Sequence, residues 1–139
     1  MHVDGRCYCG AIAYAAEIDP EGAAICHCTD CQSFSGSPFR ASVPAKFEDF
    51  ALVRGAPKIY VKTADSGAKR AQAFCGECGA PIYASAAENP TVLNLRLGAL
   101  RQRAEIVPRR QIWRRSALDW ALDIHAMPAS RGEWSDSET

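Results

Sequence analysis

Seven cysteines fall into three tight clusters, and their spacing constrains this chain more than any other feature. The clusters are Cys7 and Cys9 in "CYC", Cys26, Cys28 and Cys31 in "CHCTDC", and Cys75 and Cys78 in "CGEC". An odd number of thiols cannot be fully paired within one chain, and a reducing compartment disfavours a disulfide framework. Buried free cysteine is a common small core residue, but packing gives no reason for thiols to recur at the spacings of metal ligands. The pattern therefore favours metal, and zinc in particular.

Each cluster can reach one ion by its own route. In "FCGECGAPIYAS" the first thiol leaves a strand, glycines permit a tight turn with backbone groups aimed at sulfur, and the second thiol returns to the same point, as in a zinc knuckle. A thioredoxin-like use of "CGEC" is disfavoured, because that motif opens a helix and strand-like sequence flanks it here. In CxC, alternate side chains of an extended strand share a face, so Cys7 with Cys9, and Cys26 with Cys28, can each present two sulfurs together. Four thiolates close a tetrahedral zinc site, whereas three leave a position for water or an incoming ligand. The favoured partition joins Cys7, Cys9, Cys75 and Cys78 in a sealed structural site and leaves Cys26, Cys28 and Cys31 as an open one. Spacing alone equally allows Cys26 and Cys28 to pair with the knuckle.

The rest of the chain reads as a scaffold for these clusters. With 139 residues, 47% of them hydrophobic, it is long enough for one domain with its own core. That domain is expected over residues 1–128, followed by a polar, flexible tail over 129–139. The net charge is zero, so composition gives no reason to expect nucleic acid or a membrane as partner. Arg96 to Arg115 nonetheless holds seven arginines against one acid, Glu105. Such a run is read first as a hydrated face, and second as a carboxylate-binding surface. A basic leader followed by an apolar stretch is not seen, nor any membrane-spanning run, and a cytoplasmic location is expected.

Short apolar segments separated by Pro and Gly, without a sustained 3.6-residue period, indicate a mainly β fold. Ala11 to Ile18 alternates Ile12, Tyr14, Ala16 and Ile18 on one face. "AAIC", "FRASV", "ALVRG", "KIYVKT", "AQAFC", "PIYAS" and "TVLNLRL" follow as further strands. Helix is expected only as a turn capped by Asp30 and another over Ser116 to Trp120 capped by Ser116. Trp113, Trp120, Phe34 and Phe39 are read first as core, with one or two of them as a wall of the pocket beside the open site. On an extended "CHC", His27 points away from the thiols and has a packing role or a surface hydrogen bond. Asp30 is read as a cap or a hydrogen-bond acceptor, His125 as structural, and His2 as mobile.

"CYCGAIAY", "CHCTDC" followed by "SFSGSPF", "FCGECGAPIY", "LNLRLGAL" and "VPRRQIWRRSALDW", in this order, resemble the glutathione-dependent formaldehyde-activating enzyme family over roughly Val3 to Pro128. The resemblance implies a β-tent built from antiparallel sheets, and two zinc ions per chain. It implies a structural zinc on Cys7, Cys9, Cys75 and Cys78 and a catalytic zinc on Cys26, Cys28 and Cys31. It further implies carbon–sulfur lyase chemistry on a small thiol adduct, such as an S-hydroxymethyl adduct of glutathione. Family members often carry basic residues after the third thiol of the middle cluster, where this chain has Gln32 and Ser33. The competing readings are a non-catalytic zinc scaffold, its second centre closed by a ligand such as His125, and a nucleic-acid binder using the arginine run.

Overall fold

A computed structural model of the chain describes residues 1–134. It is mainly β, with strands β1 (His2–Arg6), β2 (Ala13–Ile18), β3 (Ala24–Cys26), β4 (Arg40–Arg54), β5 (Lys58–Thr63), β6 (Lys69–Phe74), β7 (Pro81–Ala86), β8 (Val92–Arg96) and β9 (Arg110–Ile112). One α-helix, α1 (Thr29–Ser35), interrupts them, and short 3-10 turns follow β9. The sheet runs β1-β2-β4-β8-β7-β6-β5, with β3 laid on the first part of β4 and β9 on β3. Every pairing is antiparallel except β3 with β9. No helix among the described residues is long and apolar enough to cross a membrane.

Alternation in sequence becomes burial on one face. Tyr14, Ala16 and Ile18 of β2 point inward, and Val3, Val43, Leu93, Leu95, Ile82, Leu100 and Ile106 join them in the core. Each such aliphatic side chain contributes about 1.5–3 kcal/mol by leaving water. The "KIYVKT" segment matches β5 residue for residue. "FRASV" and "ALVRG", expected as two strands, are one 15-residue strand, β4. The polar stretch between them stays extended because Lys46 pairs with Val92 and the Phe47 N–H donates to Thr91 O. It bulges away from β2, whose register jumps from Ala16 opposite Phe50 to Ile18 opposite Ala45.

The aromatic residues depart from expectation. Trp113 and Trp120 are 51% and 54% exposed, Phe34 is exposed and Phe39 half-buried, so none belongs to the core. Trp113 and Trp120 sit at the 3-10 turns after β9, Phe34 on α1, and Phe39 between α1 and β4, its ring against the buried His27. Ser116 ends a 3-10 turn instead of capping one, and the next turn starts from Leu118. His2 is held in β1 with Nδ1 2.7 Å from Glu17 Oε1. In the tail, residues 129–134 are mostly exposed, and the Ser130 hydroxyl donates to Glu133 O. The remainder of the expected flexible tail lies outside the described residues.

Candidate metal centre

Two sulfur groups form, and they divide the cysteines four and three. The Sγ atoms of Cys7, Cys9, Cys75 and Cys78 lie within 4.8 Å of one another, and so do those of Cys26, Cys28 and Cys31. Among the described residues no other His, Cys, Asp or Glu joins either group. His125 lies exposed in the 3-10 turn Ile124–Ala126 and contributes no ligand atom to the three-thiol group.

The four-thiol group is built from two turns. After β1 the chain folds back at once, with Gly10 N–H donating to Cys7 O and Cys7 N–H to Ile12 O. "CYC" is thus a turn, not the extended strand expected from its spacing, because the chain must reverse there to enter β2. The second turn joins β6 to β7: Gly79 N–H donates to Cys75 O and Cys75 N–H to Ala80 O. Gly79, at φ 79°, has a backbone that side-chain-bearing residues rarely adopt. N–H groups point at sulfur throughout, from Ile12 to Cys7 at 3.2 Å and from Glu77 and Cys78 to Cys75 at 3.4 and 3.5 Å. N–H groups of Cys9 and Ala80 lower the Cys78 thiol to about 6.

The sulfur spacing fits a tetrahedral ion. Cys7 to Cys9 is 3.7 Å and Cys9 to Cys75 is 3.8 Å. Four thiolates at the usual zinc–sulfur bond length of ~2.3 Å stand ~3.8 Å apart. The backbone N–H donors aimed at these sulfurs suit thiolates better than neutral thiols.

The three-thiol group sits where β3 runs out into α1. Cys26 ends β3, and His27 continues the ladder by donating its N–H to Ile112 O of β9. Cys28 is extended and caps the helix, its sulfur accepting from Cys31 N–H at 3.2 Å. Asp30, expected as the cap, lies instead in the first turn and accepts from Lys62 Nζ at 2.6 Å. Alternation turns His27 away from the thiols, as its place in the sequence implies. It is 2% exposed, however, with its ring edge-on to Phe39 and Nε2 2.7 Å from Gln111 Oε1, so its hydrogen bond is internal and not at the surface. Gln32 donates its amide to His27 O at 2.8 Å and Ser116 O at 3.0 Å, tying the helix to the ligand loop and to the turn after β9. A basic side chain at this position has the donors for the same two carbonyls.

Burial works against ionising Cys28, but the Cys31 N–H, the neighbouring thiols and Lys62 outweigh it and lower this thiol. Burial and then Cys28 push Cys31 up to about 12. A metal bound among them removes that penalty, since it is thiolate, not thiol, that ligates. Both groups therefore fit metal ions by donor chemistry, and the first also by spacing.

Residues that spacing did not reveal stand beside the three thiols. Cys26 faces Arg40 across β3 and β4, and Ser42 faces Arg96 across β4 and β8. A cleft of about 920 Å³ is lined by Cys7 and Tyr8 on one side and by Ser35, Phe39, Arg40 and Arg96 on another. The three sulfurs do not line it; Arg40 connects the two.

A family profile described as glutathione-dependent formaldehyde-activating enzyme matches residues 2–116. This chain belongs to that family. The glutathione-dependent formaldehyde-activating enzyme profile spans all seven cysteines and all nine strands. A crystal structure of a Rhodobacter sphaeroides protein is similar to this chain with a TM-score of 0.60 and 21% identity, covering 78% of this chain and 98% of that one. That likeness supports the fold. No curated protein matches the chain.

Proposed function

We propose that this chain is a zinc-dependent carbon–sulfur lyase acting on a small thiol adduct, with a structural zinc on Cys7, Cys9, Cys75 and Cys78 and a catalytic zinc on Cys26, Cys28 and Cys31. The observation that carries the reading is the three-sulfur group with no fourth ligand among the described residues. A zinc ion bound there supplies a fourth position for an outside sulfur and keeps that sulfur in the thiolate form. In the cleavage direction an S-hydroxymethyl adduct gives its hydroxyl proton to solvent water, its carbon–sulfur bond breaks, and the electron pair leaves on sulfur to give thiolate and aldehyde. The reverse adds thiolate to the aldehyde carbon.

The chain's own residues place and tune this chemistry. The Cys31 N–H holds Cys28 sulfur in position, and Arg40 stands opposite Cys26 across β3 and β4. His27 is not the proton carrier, since its ring faces Phe39 and Gln111. Asp30 is engaged by Lys62. The substrate is a small thiol such as a glutathione adduct, and the location is cytoplasmic. A scaffold that only binds a protein or nucleic acid makes a different prediction, because it needs no exchangeable position at the second metal.

The experiment is metal analysis with spectroscopy of a cobalt-substituted sample, before and after adding glutathione. Two ions per chain, one of which changes its ligand field with thiol, is the expected result. Two ions that both ignore thiol, or a single ion, would remove the catalytic reading.

A further inference from the structure

The face of the sheet beneath α1 carries a cluster of guanidinium groups that the carbon–sulfur step does not by itself require. Arg96 is 8% exposed, donating to Ser42 Oγ at 2.6 Å and to Gln72 Oε1 at 3.4 Å. Arg40 donates to the same Gln72 oxygen at 3.3 Å, while its buried Nε has no hydrogen-bond partner. Two cations thus share one neutral oxygen at distances near the limit of a hydrogen bond. Among the described residues no carboxylate pairs with either arginine. Arg70, half-buried on β6 two residues before Gln72, adds a third positive charge that acts on Arg96.

Burying arginine without a counter-ion is costly, so the cluster needs a structural or a functional reason. The three thiols are part of one, since the sulfurs of Cys26 and Cys31 act on Arg96. They are not enough. A divalent ion with three thiolates carries one negative charge in total, against three from Arg40, Arg70 and Arg96. The remaining two are what a bound thiolate and one further anion supply. Both Arg40 and Arg96 also line the cleft, so a ligand in it reaches them. That cleft has five lining arginines and one carboxylate, Asp4, which Arg101 already holds.

We infer that Arg40 and Arg96, bridged by Gln72, form an oxyanion subsite beside the three-thiol centre, and that the ligand is a thiol carrying a carboxylate or similar oxyanion on the same molecule. This rests on the open-site reading of Cys26, Cys28 and Cys31. Arginine suits the role because its planar donors match a carboxylate in pairs. Arg40 is the cross-strand neighbour of Cys26, so one small molecule spans the sulfur position and the guanidinium.

The test titrates the cobalt-substituted full chain with four short thiols: neutral 2-mercaptoethanol, 3-mercaptopropionate, 2-mercaptoethanesulfonate and cationic 2-aminoethanethiol, compared at equal thiolate concentration. The carboxylate or sulfonate thiol is expected to bind at least tenfold tighter than the neutral one, and the aminothiol weaker. Whichever anion leads identifies the oxyanion. Arg40→Gln and Arg96→Gln are each expected to cut the advantage below threefold, with any accompanying loss of 2-mercaptoethanol affinity smaller than the loss for the anionic thiol. Arg40→Gln is the safer variant, because Arg40 is less buried than Arg96. Equal affinity for charged and neutral thiols in the wild type overturns the subsite and leaves the open centre standing. An advantage that survives in both variants overturns the assignment to these arginines. If no thiol of any charge alters the cobalt spectrum, the functional reading itself fails.

Discussion

His27 and Gln111 meet across the parallel β3–β9 pair, imidazole Nε2 to amide Oε1 at 2.7 Å. The histidine between two candidate ligands therefore fastens β9 to the ligand loop instead of facing the ion, and its backbone N–H adds a 3.1 Å bond to Ile112 O. His27→Ala is expected to destabilise the fold by about 2–4 kcal/mol through the cavity and the lost hydrogen bond. The metal-to-protein ratio should not change. Denaturant titration and metal analysis of the variant check this; loss of one ion with unchanged stability would mean that the ring serves the metal.

The two sulfur groups predict opposite consequences for the same substitution. Cys7 and Cys9 follow β1 while Cys75 and Cys78 join β6 to β7, so a metal among them clamps segments that are far apart in sequence. Structural zinc contributes on the order of 10 kcal/mol of folding free energy in small zinc domains. Cys75→Ser, or strong chelation, should unfold or aggregate the chain. Cys31→Ser should leave a folded protein that holds one ion and has no turnover. Circular dichroism with metal counting separates these outcomes, and equal unfolding by both substitutions would overturn the division of roles.

How far these features could be read beforehand depends on whether local sequence or sheet register creates them. The face of β2 is written in the alternation of Ile12, Tyr14, Ala16 and Ile18, and all four are buried. That His27 turns away from the thiols follows from the two-residue period alone; that it is buried there does not. The turn at "CYC" was hidden, because CxC serves a strand as well as a reversal and only the entry into β2 decides. Trp113 and Trp120 misled because large aromatics are core residues by default, and here they follow β9, beyond the reach of the sheet's buried face. The arginine subsite is a product of register. Arg96 lies opposite Ser42, and Gln72 arrives from a third strand, so no window of sequence contains it. The one local trace is an arginine on the same alternation as polar Asn94 within "LNLRL".

Asp4 makes stability depend on acid pH in a defined direction. Hydrogen bonds from Arg101 and then Gln102 hold its carboxyl below the usual value of 3.8. A carboxylate lowered in the folded state stabilises above its unfolded pKa and loses that contribution as pH falls through the folded one. The gap in melting temperature between wild type and Asp4→Asn should therefore be present at pH 6 and close as pH drops below about 4. High salt should narrow it at pH 6, since the Asp4–Arg101 pair is exposed. A gap that widens toward acid would mean that Asp4 is better accommodated protonated.

Gly5 and Tyr14 face each other in the β1–β2 ladder, and the ring lies over the glycine. A Cβ on Gly5 would fall on Tyr14 Cζ and come within 2.8 Å of Ala99 O. One obstacle is a ring fixed in the core and the other is backbone, so neither yields cheaply. Gly5→Ala is expected to cost about 3 kcal/mol, at the upper end of ordinary overpacking. The Tyr14 hydroxyl, for its part, is buried with no hydrogen-bond partner. Removing an unsatisfied buried polar group is neutral or favourable, so Tyr14→Phe should leave stability unchanged or raise it by up to about 1 kcal/mol. The two effects are separable in the double variant. Tyr14→Phe keeps Cζ and leaves Ala99 O in place, so it should not rescue Gly5→Ala, as urea midpoints of the four proteins will show. A full rescue would place the whole conflict at the hydroxyl and show that the strand has room to move.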